Sequence, residues 1–305
     1  MYTNTFDNNN WLRKFTQKAG FKELRAEIFR QTVEIVNSGG YILNGKEIAV
    51  DKTVIAANTE FFDARFSLKE KTHLHDTKFS VIEADCLEAA ELLIKAGFNP
   101  CVLNMASRQN PGGGVLTGAG AQEENLFRRS NLFASLYQFA GYAAQYGIVK
   151  NDKQYPLDRN YGGIYSQNAT VFRSSESSGY ALLDVPFQTS VVSVSAINRP
   201  ELIDISGQLR IAQHLIEPAK EKMRTILRIA GKRNHNALVL SAFGCGAFCN
   251  PPEHIAMLFK DVFAETEFDS RFALVVFAII GDHNSNRAHN PNGNFEPFRK
   301  IFSES

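Results

Sequence analysis

Apolar residues follow two different periodicities along the chain. Between residues 9 and 38 they recur at roughly helical spacing, and the run ends at Gly39-Gly40, which predicts a helical N-terminal segment. Farther along, short continuous apolar runs alternate with amphipathic stretches. Continuous apolar strands are typical of a sheet that is buried on both faces. The sequence therefore predicts an α/β fold with a mainly helical N-terminal extension.

The predicted elements alternate from about residue 41 to residue 280. Strands are expected at 41–50 with a turn at Asn44-Gly45, and at 53–57, 79–82, 101–104, 190–197, 237–243 and 272–280. Helices are expected at 86–97, 125–147, 200–230 and 252–266, and a long ordered loop at 150–180. We interpret residues 1–75 as an accessory segment packed on a core of residues 76–305, although no Pro/Gly-rich linker marks that boundary.

Composition and charge argue against several classes of protein. The 305 residues are 44% hydrophobic and carry a net charge of +1, so neither disorder nor a general attraction to nucleic acid or to a membrane is indicated. The longest apolar run, residues 272–280, is well short of the ~20 residues that span a bilayer. The four cysteines form no C-x-x-C pair, and the start of the chain lacks the apolar segment of a signal peptide. We therefore expect a reducing, cytoplasmic location.

Two glycine clusters follow predicted buried strands. Gly112 to Gly114 come after the strand at 101–104, and GCGAF at 244–248 comes after the strand at 237–243. Each cluster leads into a helix, where backbone N–H groups can approach an anion. Either loop alone could be a simple tight turn, but two of them at the carboxyl edge of one sheet suit a diphosphate. Neither loop is a dinucleotide-binding fingerprint or a P-loop.

Paired carboxylates follow the first glycine cluster. Glu123 and Glu124 stand at the predicted start of a helix, where acidic residues are favoured in any case. Adjacent residues on a helix point roughly 100° apart, so the two cannot straddle a glycosidic bond as an opposed acid/base pair. If one of them is catalytic, the other is a positioning group.

The two motifs together resemble one known family, the microbial-type poly(ADP-ribose) glycohydrolases. NMASRQNPGGGVLTGAGAQEENLFRRSNL (104–132) is similar to the catalytic loop of that family, and LVLSAFGCGAFCNPP (238–252) is similar to its phosphate-binding loop. The resemblance covers about residues 15 to 285. It implies a macrodomain-like fold, a mixed sheet sandwiched between helices, and hydrolysis of the ribose–ribose O-glycosidic bond of poly(ADP-ribose) to release ADP-ribose. It implies no cofactor and no metal ion.

The resemblance also implies the roles of individual residues. Glu124 matches the glutamate that protonates the leaving oxygen and then activates water, and Glu123 matches the one that holds the substrate and its partner acid. In the same way, Asn104 faces the terminal ribose, Gln122 contacts the nucleotide, Phe248 packs on the terminal ribose, and Asp85 binds the adenine amino group. The remaining substrate-binding candidates are Asn110, Gly112, Gly113 and Gly114 in the first loop, and Gly244, Cys245, Gly246 and Ala247, as N–H donors to the diphosphate, in the second.

Several alternatives stay open at this point. A hydrolase that removes mono-ADP-ribose from protein side chains, with arginine favoured, would use the same residues, and residues 150–180 at the rim would decide between the two substrates. A non-catalytic ADP-ribose reader would need the loops but not the acids. A nucleotide-sugar phosphatase would need a metal cluster or a nucleophile, and neither is visible. The expected partners are ADP-ribose, poly(ADP-ribose) and ADP-ribosylated proteins, with no nucleic acid and no membrane.

Three other features are given structural interpretations. Cys245, Cys249 and His254 have no second ligand pair, which disfavours a zinc site. The stretch 282–294, with His283 and His289, is expected to be a solvated loop. Arg128-Arg129 is expected at the surface or in a salt bridge.

Overall fold

The computed structural model describes residues 1–3, 7–17, 20–69, 74–281 and 287–302. The chain divides into two units. The first contains residues 1–61, 106–157 and 164–191, and the second contains residues 62–105, 158–163 and 192–305. This division does not follow the predicted boundary near residue 75. The accessory role of residues 1–75 stays a prediction.

The helices and strands are numbered separately, in chain order. The helices are α1 (Asn8–Thr16), α2 (Phe21–Asn37), α3 (Thr53–Ala57), α4 (Cys86–Lys95), α5 (Gln122–Arg129), α6 (Leu132–Tyr137), α7 (Gln213–Lys232), α8 (Pro252–Phe263) and α9 (Phe295–Phe302). The strands are β1 (Tyr2–Thr3), β2 (Gly40–Leu43), β3 (Lys46–Ala49), β4 (Thr59–Phe62), β5 (Lys78–Ile82), β6 (Pro100–Met105), β7 (Gly163–Arg173), β8 (Leu182–Val194), β9 (Leu202–Ile205), β10 (Gln208–Ile211), β11 (Ala237–Leu240) and β12 (Leu274–Ala278). Short 3₁₀ turns lie at Val115–Thr117 and Ala143–Tyr146.

The first unit contains a small sheet, β1-β2-β3, and the strands β4-β7-β8, with β8 continuing into the second unit. β2 and β3 form the predicted hairpin, and its turn residues Asn44 and Gly45 both have positive φ. The helical pattern predicted over 9–38 is confirmed, as the two helices α1 and α2, and Gly20 in a left-handed conformation directly precedes α2. Helix α2 then packs on α5 and on the 3₁₀ turn that precedes it.

Three sequence predictions for this unit are wrong. Residues 53–57 form a short helix, because the carboxylate of Asp51 accepts hydrogen bonds from the backbone and the hydroxyl of Thr53. The helix expected at 125–147 breaks at Ser130, which is extended and bridges to Val171, and whose hydroxyl donates to the Leu126 carbonyl. Hydroxyl side chains compete in this way with helical backbone hydrogen bonds. The loop expected at 150–180 contains the long strand β7.

The second unit contains the strand order β8-β6-β11-β12-β5, in which β6, β11, β12 and β5 are parallel. These strands match the predicted runs, and α4 and α8 match the predicted helices closely. The helix expected at 200–230 begins only at Gln213, after the hairpin β9-β10. A mixed sheet with flanking helices confirms the predicted α/β fold class. The carboxyl ends of β5, β6 and β11 lie along one edge of the sheet, where the candidate ligand-binding residues of this unit follow.

The C-terminal helix α9 is fixed to the sheet of the second unit by aromatic side chains. Phe298 and Phe302 are buried, and their rings lie 5.1 and 4.5 Å from the ring of Phe277 on β12. The ring of Phe79 on β5 lies 5.1 Å from that of Phe302. In the part of the chain that the structure describes, no helix is long and apolar enough to cross a bilayer.

Replacing Phe298 by Ala should lower the free energy of unfolding by about 3–5 kcal/mol, because the truncation leaves a cavity in this aromatic cluster. Urea unfolding would measure the change. Leu92→Ala is the control: Leu92 is 62% exposed on α4, so its loss should cost less than about 0.5 kcal/mol. Equal effects of the two substitutions would contradict this account of α9.

Candidate active site

The N–H groups of all three glycines in the first loop donate hydrogen bonds to acceptors in the loop itself or on α5. The N–H of Gly112 donates to Oε1 of Glu123 at 3.0 Å, and that of Gly114 donates to Oε1 of Glu124 at 2.8 Å. The N–H of Gly113 donates to the carbonyl of Asn110 at 3.0 Å. The expectation that this loop offers N–H groups to an anion is therefore wrong. Its donors hold the two carboxylates instead.

Glycine is required in this loop because the carboxylates lie against the main chain. Gly113 has φ +52°, and a Cβ added there would overlap Oε1 of Glu124. Gly112 has φ +79°, and its Cβ would lie 2.6 Å from the ring of Phe127. A side chain at either position would have to displace an element of α5. The glycines therefore allow close approach of a helix, as well as backbone angles that other residues rarely adopt.

Glu123 has both carboxylate oxygens bound to the backbone. It is buried, and its Oε2 accepts the N–H of Ser107 at 2.7 Å while Oε1 accepts that of Gly112. Burial, the neighbouring Tyr146 and the negative charge of Glu123 raise the pKa of Tyr142 to about 12. Burial and the same negative charge also raise the pKa of Tyr155. Glu123 thus fixes the start of the loop to α5, which suits the positioning role predicted for it.

Glu124 differs from Glu123 in having one oxygen without a partner. The residue is buried, its Oε1 is held by Gly114, and its Oε2 has no hydrogen-bond partner among the described residues. Buried polar atoms are rarely left unpaired in native proteins, and the exceptions concentrate at functional positions. The catalytic role predicted for Glu124 stays a prediction.

Buried arginines hold the helix that carries these glutamates. Arg128 is fully buried; its Nε donates to the hydroxyl of Tyr180 and its Nη1 donates to the carbonyl of Ala119, each at 2.8 Å. Arg129 is also buried and donates to the carbonyl of Arg173. The expectation of a surface pair or a salt bridge is therefore wrong for Arg128, because a phenol and a carbonyl receive its guanidinium. Its contact with Ala119 ties the end of the glycine loop to α5.

Arg25 on α2 contacts the spacer between the glycines and α5, and the sequence did not predict this contact. Its guanidinium forms an ion pair with Glu176 at 2.7 Å and lies directly on the main chain of Gly120, where a Cβ would overlap it. Burial lowers the pKa of Arg25, but the hydrogen bond to Glu176 and the charge of that carboxylate outweigh it and raise the pKa above its ordinary value. Gly120 in the spacer is the only sequence signal for this contact. Gln122 opens α5 half-buried, and Asn110 is exposed.

In the second glycine loop the backbone carbonyls, rather than the N–H groups, form the hydrogen bonds that hold the loop. Each carbonyl from Gly244 to Phe248 accepts a hydrogen bond from the protein; the donors are the N–H and Nδ2 of Asn250, Nε2 of His289, the N–H and Sγ of Cys249, and the N–H of Arg199. Among the described residues, the N–H groups of Gly244, Gly246, Ala247 and Phe248 donate to no protein acceptor. A loop whose carbonyls are held and whose N–H groups stay open is a ready anion site.

Cys245 departs from the predicted role in this loop. Its N–H donates to the carbonyl of Ala242 at 3.1 Å, so it is not open to a diphosphate as expected. Gly244 is required for packing, since it has φ +77° and a Cβ there would lie 2.6 Å from that of Ala196. The half-buried Phe248 follows in the same loop, and its predicted stacking on ribose stays a prediction.

Asn250 organises the second loop and was not predicted. Its buried Nδ2 donates to the carbonyls of Ile197, Gly244 and Phe248 at 2.8, 3.0 and 3.3 Å. One amide thereby fixes both ends of the loop and the chain after β8. The local signal was an Asn directly before Pro251-Pro252 at a helix start, a position where Asn side chains often bind backbone groups.

Asn104 and Asp85 lie at the same sheet edge as the second loop. Asn104 is fully buried near the end of β6; its Nδ2 donates to the hydroxyl of Ser193 at 3.0 Å, and its Oδ1 has no partner among the described residues. Asp85 caps α4 by accepting the N–H groups of Leu87 and Glu88 at 2.8 and 3.2 Å. The capping accounts for Asp85 structurally, so its predicted contact with adenine stays a prediction.

His289 contradicts the expectation of a solvated C-terminal loop. It is only 8% exposed, and its Nε2 lies 3.2 Å from the carbonyl oxygen of Cys245. His283 lies outside the described residues. Within the described residues, no group of three or more His, Cys, Asp or Glu side chains could hold a metal ion. The Nδ1 of His254, one of the weighed zinc ligands, accepts the N–H of Ile211.

Comparisons with known proteins identify relatives of this chain. A family model described as microbial-type PARG, catalytic domain, matches residues 29–174, which include the first glycine loop and α5. The crystal structure of poly(ADP-ribose) glycohydrolase from Thermomonospora curvata, bound to the inhibitor ADP-HPD, is 29% identical with a TM-score of 0.71, covering 91% of this chain and 99% of that one. The glycohydrolase from Deinococcus radiodurans, in complex with ADP-ribose, is 25% identical with a TM-score of 0.62, covering 83% and 97%. These likenesses confirm the predicted macrodomain-like fold. A search of the curated proteins finds no match.

Replacing Gly113 by Ala should displace the Glu124 carboxylate and cost about 1–3 kcal/mol, because a Cβ meets Oε1 and φ is positive. A crystal structure of the variant should show the bond between Gly114 and Glu124 broken, and thermal unfolding would give the cost. Gly141→Ala is the matched control, since Gly141 is exposed and has no neighbour within 4 Å. An undisturbed carboxylate in the first variant would rule out the fit described here.

Replacing Asn250 by Asp should lower the free energy of unfolding by about 2–4 kcal/mol, because an acceptor then faces three carbonyl oxygens. Urea unfolding of the variant would be compared with that of Asn292→Asp, an exposed Asn in the C-terminal segment. If the two variants were equally stable, Asn250 would not be the organiser of the loop.

Proposed function

We propose that this chain is a member of the microbial-type poly(ADP-ribose) glycohydrolase family and that it hydrolyses the ribose–ribose O-glycosidic bond of poly(ADP-ribose), releasing ADP-ribose. One observation carries the proposal. Glu124 is buried, with one carboxylate oxygen held by the Gly114 N–H and the other without a partner among the described residues. A reader of ADP-ribose would have no need of such a group.

The reaction needs one proton donor and stabilisation of a cation. Oε2 of Glu124 gives its proton to the leaving ribose oxygen as the bond from that oxygen to the anomeric carbon breaks. The sugar then passes through an oxocarbenium-like state, and water attacks the anomeric carbon. The ionised Glu124 takes the proton from that water and returns to its starting form. Glu123 has both oxygens committed to Ser107 and Gly112, so it positions rather than transfers a proton.

The open N–H groups of the second loop support binding of the diphosphate of ADP-ribose. A diphosphate offers several anionic oxygens, and backbone N–H donors bind such groups without any counter-charge from a side chain. Gly246, Ala247 and Phe248 present three such donors in succession. The second loop is therefore the candidate site for the diphosphate.

A cytoplasmic location is also proposed. No disulfide joins any of the four cysteines, and Cys86, Cys101 and Cys245 are buried. Cysteines that form no disulfide are typical of proteins in reducing compartments. Fractionation of the source cells with an antibody to the chain would test the assignment, and recovery in an oxidising compartment would overturn it.

Glu124→Gln should lower kcat for ADP-ribose release from poly(ADP-ribose) at least about a hundredfold, because the amide cannot donate and recover the proton. Binding of ADP-ribose, measured by calorimetry, should stay within about threefold, since the amide keeps the shape of the side chain. Glu88→Gln, at an exposed first-turn position of α4, is the matched control and should leave both values unchanged.

The same assay would be run on an arginine-mono-ADP-ribosylated protein. If the chain hydrolysed that conjugate and not the polymer, its substrate would be protein-linked mono-ADP-ribose rather than poly(ADP-ribose). Binding of ADP-ribose without turnover of either substrate by the wild-type chain would make it a reader. Normal turnover by Glu124→Gln would refute the mechanism.

A further inference from the structure

His289 is a buried histidine that the reaction described above does not use. Its Nε2 lies 3.2 Å from the carbonyl oxygen of Cys245, in the second glycine loop. A carbonyl oxygen only accepts hydrogen bonds, so this nitrogen must carry the proton. The histidine therefore donates to the main chain of the loop across 44 residues of sequence.

The segment that carries His289 is fixed independently of the loop. Asn290 is fully buried and donates through Nδ2 to the side chain of Asn294 at 2.9 Å. Helix α9 begins at the next residue and is held by the aromatic cluster around Phe277. The imidazole is thus anchored to the sheet through α9, which gives the loop a rigid point of attachment.

The hydrogen bond to Cys245 sets the direction of the next N–H group. The peptide unit between Cys245 and Gly246 is planar and trans, so its C=O and its N–H point in opposite directions. Turning the carbonyl toward His289 turns the N–H of Gly246 away from it. That N–H has no acceptor among the described residues. Because Gly246 has no Cβ, its own side chain does not restrict rotation of this peptide.

We propose that His289 is a positioning residue for ligand binding: by holding the Cys245 carbonyl, it keeps the Gly246 N–H directed at the diphosphate of ADP-ribose. The inference rests on the proposed function, since it takes the second loop as the diphosphate site. A preorganised donor avoids the ordering cost that a rotating peptide would add to binding. The C-terminal segment therefore contributes to affinity without touching the ligand.

The test is calorimetric titration of the full-length chain with ADP-ribose. His289→Ala should weaken binding roughly tenfold, the usual size of one lost hydrogen-bond donor. His289→Gln keeps an N–H donor and should recover affinity to within about threefold of wild type. His235→Ala is the matched control: His235 is also buried, and its Nδ1 lies 3.1 Å from the carbonyl of Asn99, just before β6 and so at the opposite end of that strand. It should bind as wild type.

The outcomes separate this inference from the proposed function. If the wild-type chain failed to bind ADP-ribose, the proposed function would fail. If the wild type bound and His289→Ala bound within twofold of it, the positioning role would be refuted. An equal loss in His235→Ala would show a general effect of losing a buried histidine. A loss in His289→Gln as large as in His289→Ala would assign the effect to packing of the ring, which also refutes the role.

Discussion

The geometry of the first loop depends on hydrogen bonds between glycine N–H groups and two adjacent carboxylates. A buried carboxylate is costly unless donors surround it, and N–H bonds to a charged acceptor are roughly twice as strong as neutral ones. Gly112 and Gly114 supply such donors to Glu123 and Glu124, respectively. Because adjacent side chains on a helix point about 100° apart, one donor could not serve both glutamates. The loop instead supplies alternate N–H groups, and a Cβ on Gly113 between them would collide with Glu124.

The second loop reverses this use of the backbone. In the first loop the N–H groups of Gly112 and Gly114 donate to acidic side chains. In the second loop the carbonyls accept hydrogen bonds from the protein, and every N–H group except that of Cys245 has no protein acceptor among the described residues. The chemical difference comes from the side chains nearby. Glutamates supply acceptors to one loop, while Asn250 and His289 supply donors to the other. Two glycine clusters of similar composition therefore use their backbone groups in opposite ways.

The elements that the sequence predicted well are those with a strong local signal. Continuous apolar runs such as 101–104 and 272–280 became the parallel strands β6 and β12, and a helix preceded by Asp85 began where its cap required. The predicted elements are wrong where a hydrogen bond with a polar side chain determines the backbone conformation. Asp51 turns a β-branched stretch into a helix, and Ser130 interrupts an amphipathic one. Periodicity records which face is buried, and it does not record such hydrogen bonds.

For the site, too, the sequence predicted the residues that lie within a local motif and did not predict their partners from distant parts of the chain. The positions of Glu123 and Glu124 after the glycines are local, so motif and spacing located them. The partners that shape each loop are not local: Arg25 reaches Gly120 from another helix, and His289 reaches Cys245 from the C-terminal segment. Nothing in the composition of 282–294 distinguishes a histidine that binds a buried carbonyl from one in solvent. What does distinguish it is the aromatic anchoring of α9, since Phe298 and Phe302 fix the chain 9 and 13 residues beyond His289. A polar segment directly before an anchored amphipathic helix is held in place at one end. Its side chains can therefore form fixed hydrogen bonds with distant parts of the chain, as His289 does with Cys245.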